Sequence, residues 1–72
     1  MRVVVIGAGR MGGIRAEDLA ADGRVTELLI ANRSSQRAEK LAADLGARSL
    51  PWGEVATTDA DAYVMALATD AH

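Results

Sequence analysis

The sequence contains no cysteine and no phenylalanine, and only one tryptophan, one tyrosine and one proline among its 72 residues. The lack of cysteine excludes a disulfide framework and a thiolate zinc site, and it accords with a reducing compartment, so a cytoplasmic location is expected. A surplus of positive charge is missing as well: eight basic residues face ten acidic ones, for a net charge of −2 and a pI near 5.1. Such a chain has no basic footprint for a nucleic-acid backbone or an anionic membrane, and neither partner is expected. Long apolar runs are absent too. The valines after Arg2 lead only as far as Gly7, well short of a signal-peptide core or a membrane span of roughly 20 residues. One histidine, and carboxylates without ligand spacing, give no metal site.

What is present is ordinary for a globular chain: half the residues are hydrophobic and a quarter charged. With aromatics nearly missing, burial falls to Val, Leu, Ile, Ala and Met, small groups that suit closely packed helix and sheet layers. The length allows one small domain at most.

Arg2 to Ile6 reads RVVVI, an unbroken β-branched run that ends at glycine, as a central parallel strand buried on both faces does. Met11, Ile14 and Leu19, with Ala16 and Ala20, place apolar and small groups along a helix expected over about Arg10 to Asp22, with Asp22-Gly23 as its stop. Glu27 to Ala31, ELLIA, is a second buried strand. Ala38, Leu41, Ala42 and Leu45 then recur at helical spacing, with Gly46 as the cap. Ala47 to Leu50 suits a short third strand, and Ala62 to Ala68 a fourth. Pro51 to Asp61 lacks a helical period and is expected to be a loop or a single turn. The alternation implies an α/β fold, a doubly wound parallel sheet with right-handed crossovers, incomplete at four strands and two helices. A half-sheet of this size leaves edges and one face poorly protected, so a longer protein, or partner chains, is expected to complete it.

Gly7-Ala8-Gly9-Arg10-Met11-Gly12 matches G-x-G-x-x-G in the context that gives it meaning, directly after a buried strand and opening a helix. Gly7 permits the tight turn, Gly9 lets the backbone approach a pyrophosphate, and Gly12 lets the helix lie against the strand. The free N–H groups and dipole of the helix start favour a diphosphate. Arg10 and Met11 stand where side chains cover it. No Gly-Lys-Ser/Thr follows, which argues against a nucleoside triphosphatase.

A carboxylate about 20 residues past the glycines marks selection of NAD, because it takes the ribose hydroxyls and repels a 2′-phosphate. Here that place, 20 residues past Gly12, is held by the neutral Asn32. Arg33, Ser34 and Ser35 follow, with Arg37 one turn on. A planar guanidinium with helix-start hydroxyls suits a phosphate, so the cluster Asn32, Arg33, Ser34 and Arg37 points to NADP(H) in preference to NAD(H). Tyr63 and Met65 are read as core.

The opening MRVVVIGAGRMGGIRAEDLA and the closing DAYVMALATDAH resemble the Gfo/Idh/MocA group, the oxidoreductases related to glucose-fructose oxidoreductase and inositol dehydrogenase. That resemblance implies that residues 1–72 are the N-terminal part of an NAD(P)-binding Rossmann domain, with the substrate domain and catalytic residues outside this chain. It also implies hydride exchange with a sugar, cyclitol or related small-molecule hydroxyl or carbonyl compound by the full-length parent, and a homo-oligomer. Aligned on His72, Leu67 stands where that family has Thr and Ala68 where it has Pro. Leu67 would contact the ribose and nicotinamide end through its backbone. Asp70 and His72 are not assigned to catalysis. Two other readings remain open on the residues alone: a reductase with a helical second domain, which the glycine turn fits equally, and a non-catalytic dinucleotide sensor or interaction module.

Overall fold

Three consecutive valines set the middle of the sheet. A computed structural model describes residues 1–66; the Met11 side chain and residues 67–72 lie outside the described residues. Strands β1 (Arg2–Ile6), β2 (Glu27–Ala31), β3 (Arg48–Ser49) and β4 (Ala62–Met65) alternate with helices α1 (Arg10–Ala20) and α2 (Ser35–Leu45), and a short 3-10 helix spans Trp52–Thr57. Every strand pairing is parallel, in the order β3-β2-β1-β4. β1 meets β2 from Arg2 opposite Glu27 to Ile6 opposite Ala31, and β4 lies on its other side with Val4 opposite Tyr63. This arrangement bears out the α/β doubly wound class. The strand order reverses between β1 and β4, the place where such sheets bind ligands at their carboxyl ends.

Side chains alternate across the sheet and divide the core in two. Val3, Val5, Leu28 and Ile30 face Ala16 of α1 and Ala38 and Ala42 of α2, so both helices cover one face. Alanine at those helix positions brings backbone close to the strands. Val4, Ile6, Leu29 and Ala31 form the opposite face, where Leu50, Val55 and Ala60 cover them. Helix α2 begins at Ser34, whose Oγ accepts the Arg37 N–H at 3.4 Å, and ends at Gly46 in the left-handed region with φ 69°. Both termini follow from the residues that cap them.

Several elements differ from the sequence expectation. α1 stops at Ala20, two residues before Asp22, because Asp22 turns its carboxylate onto the Arg24 backbone N–H at 2.9 Å and forms a local turn there. The third strand shortens to Arg48–Ser49. The loop after it winds into two tight turns, with the Thr57 and Thr58 hydroxyls donating to the Glu54 carbonyl at 3.2 and 2.7 Å. Of the residues read as core, Tyr63 is 45% exposed and Met65 65%. They project from the outer strand β4 onto the face where cover reaches only β1 and β2. Ile14 likewise points to solvent on α1, while Ala16 takes the buried position. The segment Ala62 to Ala68 is strand through Met65, and its last two residues lie outside the described residues.

Candidate functional site

Gly7 leaves β1 at φ 115°, a conformation that disfavours any side chain, and donates its N–H to the Ala31 carbonyl at 2.7 Å. The chain thereby turns back across the carboxyl end of β1 without leaving the sheet. At Gly12 a Cβ would lie 2.0 Å from the Gly7 carbonyl oxygen. Only a residue without a side chain lets α1 start this close to the strand. At Gly9 the opposite holds, since a Cβ there would meet nothing within 4 Å. Gly9 is the N-terminal cap of α1, with no side-chain cap and no acidic residue in the first turn. The helix start therefore offers bare backbone N–H groups and an uncompensated dipole, beside an exposed Arg10. These features fit the diphosphate of a dinucleotide.

Asn32 sits at the end of β2, beside this turn. Its Oδ1 accepts the Ala8 N–H at 3.2 Å, and its Nδ2 donates to the Ser34 carbonyl at 3.3 Å. The amide thus joins the glycine turn to the start of α2, using its oxygen as acceptor and its NH2 as donor at the same time. Sequence reading noted Asn32 for its missing charge. Its tethering role was invisible there, because Ala8 lies 24 residues away.

The basic residues that follow are not brought together. Arg33 Cζ lies 5.9 Å from the centroid of the Trp52 ring, within the range of a cation–π contact. The two border a hollow of about 140 Å³ with Asn32, Ser35, Glu39 and Ser49. Arg37 borders a different hollow of about 180 Å³, with Ala8, Lys40 and Asp44. Trp52 is the residue that sequence reading missed here, having taken Pro51 to Asp61 only as a loop or a single turn; an aromatic just past the third strand was the available signal. Leu67 and the Met11 side chain lie outside the described residues.

The opposite edge of the sheet is polar and built for stability. Arg2 Nε donates to Glu27 at 2.7 Å and Arg48 to the same carboxylate at 3.2 Å, across the first residues of the three strands. The Arg2 hydrogen bond holds the Glu27 carboxyl below its ordinary range. In the turn after α1, hydrogen bonds from Arg24 lower Asp22 to about 2. Among the described residues no three His, Cys, Asp or Glu side chains form a metal-binding group.

Residues 1–72 match the protein family described as Shikimate / quinate 5-dehydrogenase. The chain belongs to that family. Within the shikimate/quinate 5-dehydrogenase family it is similar to a glutamyl-tRNA reductase of Desulfitobacterium hafniense (strain DSM 10664 / DCB-2), 39% identical over 69 residues, which make up 96% of this chain and 15% of that protein. The glutamyl-tRNA reductase of Methanopyrus kandleri is 41% identical over 69 residues, 96% of this chain and 17% of that protein. A solved structure of the Methanopyrus kandleri enzyme superposes with a TM-score of 0.76 at 38% identity, covering 89% of this chain and 16% of that one. The chain thus spans about a sixth of the length of the curated relatives it matches.

These findings overturn the resemblance to the Gfo/Idh/MocA group. Its first half rested on a glycine turn that unrelated dehydrogenases share for the physical reasons given above. Its second half rested on DAYVMALATDAH, where Leu67 and Ala68 depart from that group's pattern, and residues 67–72 lie outside the described ones. The sugar or cyclitol substrate, implied by that resemblance alone, is withdrawn with it.

Proposed function

We propose that residues 1–72 are the N-terminal part of a Rossmann domain that binds NADP(H) in an oxidoreductase of the glutamyl-tRNA reductase kind. The observation that carries this reading is the glycine turn, with Gly12 pressed on Gly7 and Gly9 bare above the start of α1. The cofactor expected from the sequence agrees with the relatives, since glutamyl-tRNA reductases use NADPH and the shikimate dehydrogenase family binds NADP.

In this reading the N–H groups at the start of α1 hold the diphosphate, with Arg10 beside it. Asn32 keeps the two turns in register. Ser34 and Arg33 receive the adenine ribose and its 2′-phosphate, Arg37 bordering a separate hollow, and a neutral Asn32 removes the repulsion that a carboxylate would exert there. When bound, the reduced cofactor supplies a hydride to the substrate carbonyl. The acyl carbon of glutamyl-tRNA is the acceptor that the relatives' name implies, and the residues that activate it belong to the longer protein.

A charged tRNA is a nucleic acid, whereas this segment carries a net charge of −2. Contact with the tRNA phosphates therefore falls to other parts of the parent, and the absence of a nucleic-acid partner is kept for this segment alone. Among the described residues no helix is long and apolar enough to cross a membrane. We place the parent in the cytoplasm as a homo-oligomer.

Calorimetric titration with NADPH and NADH at matched salt tests the cofactor assignment. Tighter NADPH binding is expected; equal affinities, or binding of neither, would overturn it. For the parent, NADPH consumption that requires glutamyl-tRNA is expected, and turnover of free shikimate in its place would overturn the substrate assignment.

A further inference from the structure

The contact between Arg33 and Trp52 leaves the guanidinium in an unusual position for a surface arginine. Among the described residues the ion pairs are Arg2–Glu27, Arg24–Asp22 and Arg48–Glu27, and none engages Arg33. Glu39 borders the same hollow, yet the aromatic ring is what the guanidinium lies over, at 5.9 Å. The difference matters chemically. A carboxylate would occupy the N–H donors of the arginine and cancel its charge, whereas a ring face holds the cation and leaves all five donors unused.

Trp52 is also well anchored relative to β2. The preceding Leu50 is buried at 9% exposure and donates its N–H to the Ile30 carbonyl at 2.7 Å. Pro51, at φ −56°, starts the 3-10 helix, and its carbonyl accepts the Glu54 N–H at 2.9 Å. Three residues along the same turn, Val55 packs against the core. The ring is thus carried by an ordered turn tied to the strand whose end bears Arg33, while Arg33 itself is a long exposed side chain that would otherwise sample many rotamers.

We propose that Trp52 is a positioning residue for recognition of a 2′-phosphate: its ring holds the Arg33 guanidinium at the rim of the hollow with its donors free. The inference rests on the NADP(H) reading above and adds a residue to it. Trp52 touches neither the diphosphate nor the reacting carbon in this scheme. Its effect is confined to the affinity difference between NADPH and NADH, which differ only in that phosphate.

The test is calorimetry of the unmodified chain, Trp52→Leu and Trp52→Phe with both nucleotides, with circular dichroism to verify folding. Trp52→Leu is expected to weaken NADPH about two- to five-fold and leave NADH unchanged, the scale of an exposed cation–π contact, while Trp52→Phe retains most of the preference. A second measurement needs no substitution. The 72 residues hold one tryptophan, and its fluorescence is expected to change with adenosine 2′,5′-bisphosphate and not with 5′-AMP. An unchanged NADPH-to-NADH ratio in Trp52→Leu, an equal loss for both nucleotides, or the same fluorescence response to both probes would overturn the inference while leaving the NADP(H) reading intact. Absence of any NADPH preference in the unmodified chain would overturn that reading itself.

Discussion

The Asn32 side chain accepts the Ala8 backbone N–H at 3.2 Å and so ties the turn after β1 to the turn after β2. Both turns border the place assigned to the cofactor, which makes their relative position a property of one amide. Removing it by Asn32→Leu leaves a half-buried N–H without its partner, at a cost of about 1 to 2 kcal/mol. Thermal denaturation is expected to register this, and calorimetry to show NADPH and NADH weakened alike.

Asn32→Asp separates tether from charge. The carboxylate still accepts from Ala8 but places a negative charge where the 2′-phosphate is assigned, and close repulsion of this kind amounts to roughly 1 to 4 kcal/mol. The nucleotide preference is expected to move toward NADH by about tenfold. Retention of the original ratio would place the phosphate elsewhere.

Gly12 and Gly9 of the turn predict opposite failures. In Gly12→Ala the new methyl group meets the Gly7 carbonyl, backbone that has no rotamer to yield, and overpacking of this kind costs about 1 to 3 kcal/mol. Its melting temperature is expected to fall by several degrees. Gly9→Val adds its side chain to open space at φ −81°, ψ −158°, an extended backbone with negative φ that does not require glycine. Its fold is expected to survive while affinity for both dinucleotides disappears; unchanged affinity would sink the diphosphate assignment.

Arg33→Ala removes the cation itself. NADPH binding is expected to weaken by about 1 to 3 kcal/mol, the size of a charge-assisted hydrogen bond, with NADH nearly unaffected. Equal losses would mean that Arg33 stacks on adenine instead.

Acid stability follows from the carboxylates at the other edge. Hydrogen bonds from Arg24 lower Asp22 from 3.8 to about 2, and the Arg2 bond lowers Glu27 from 4.5. Because the folded values lie below the unfolded ones, their stabilisation is present above the unfolded values and is lost as pH falls through the folded ones. Melting temperature is expected to respond little to these groups from about pH 7 to about pH 5 and to drop below about pH 4.5. In Asp22→Asn the decline should be shallower; an identical acid profile would show that the pair adds nothing to stability.

Much of the scaffold was legible in the residues because its causes are local. RVVVI and ELLIA allow little but buried parallel strand, and GAGRMG directly after the first of them allows little but a tight turn into a helix. The serines at 34 and 35 and Gly46 announced the ends of α2, since capping depends on groups within a turn of each other, and the structure assigns the cap to Ser34. The family was less legible: the glycine turn answers to the cofactor, and many families share it. Tyr63 and Met65 were misjudged for a related reason. Hydrophobicity says that a side chain gains from burial, while the cover available at each position depends on which elements pack there.

The sequence by itself determined the order of strands and helices, the glycine turn and the absence of an acid at Asn32, because each depends on conformational preferences and charges of neighbouring residues. Only the tertiary structure decided that Asn32 holds Ala8, that Arg33 lies on Trp52 while Arg37 borders a separate hollow, and that Glu27 serves two arginines. Those partners are distant along the chain, and parallel register across β3-β2-β1-β4 is what brings them within reach.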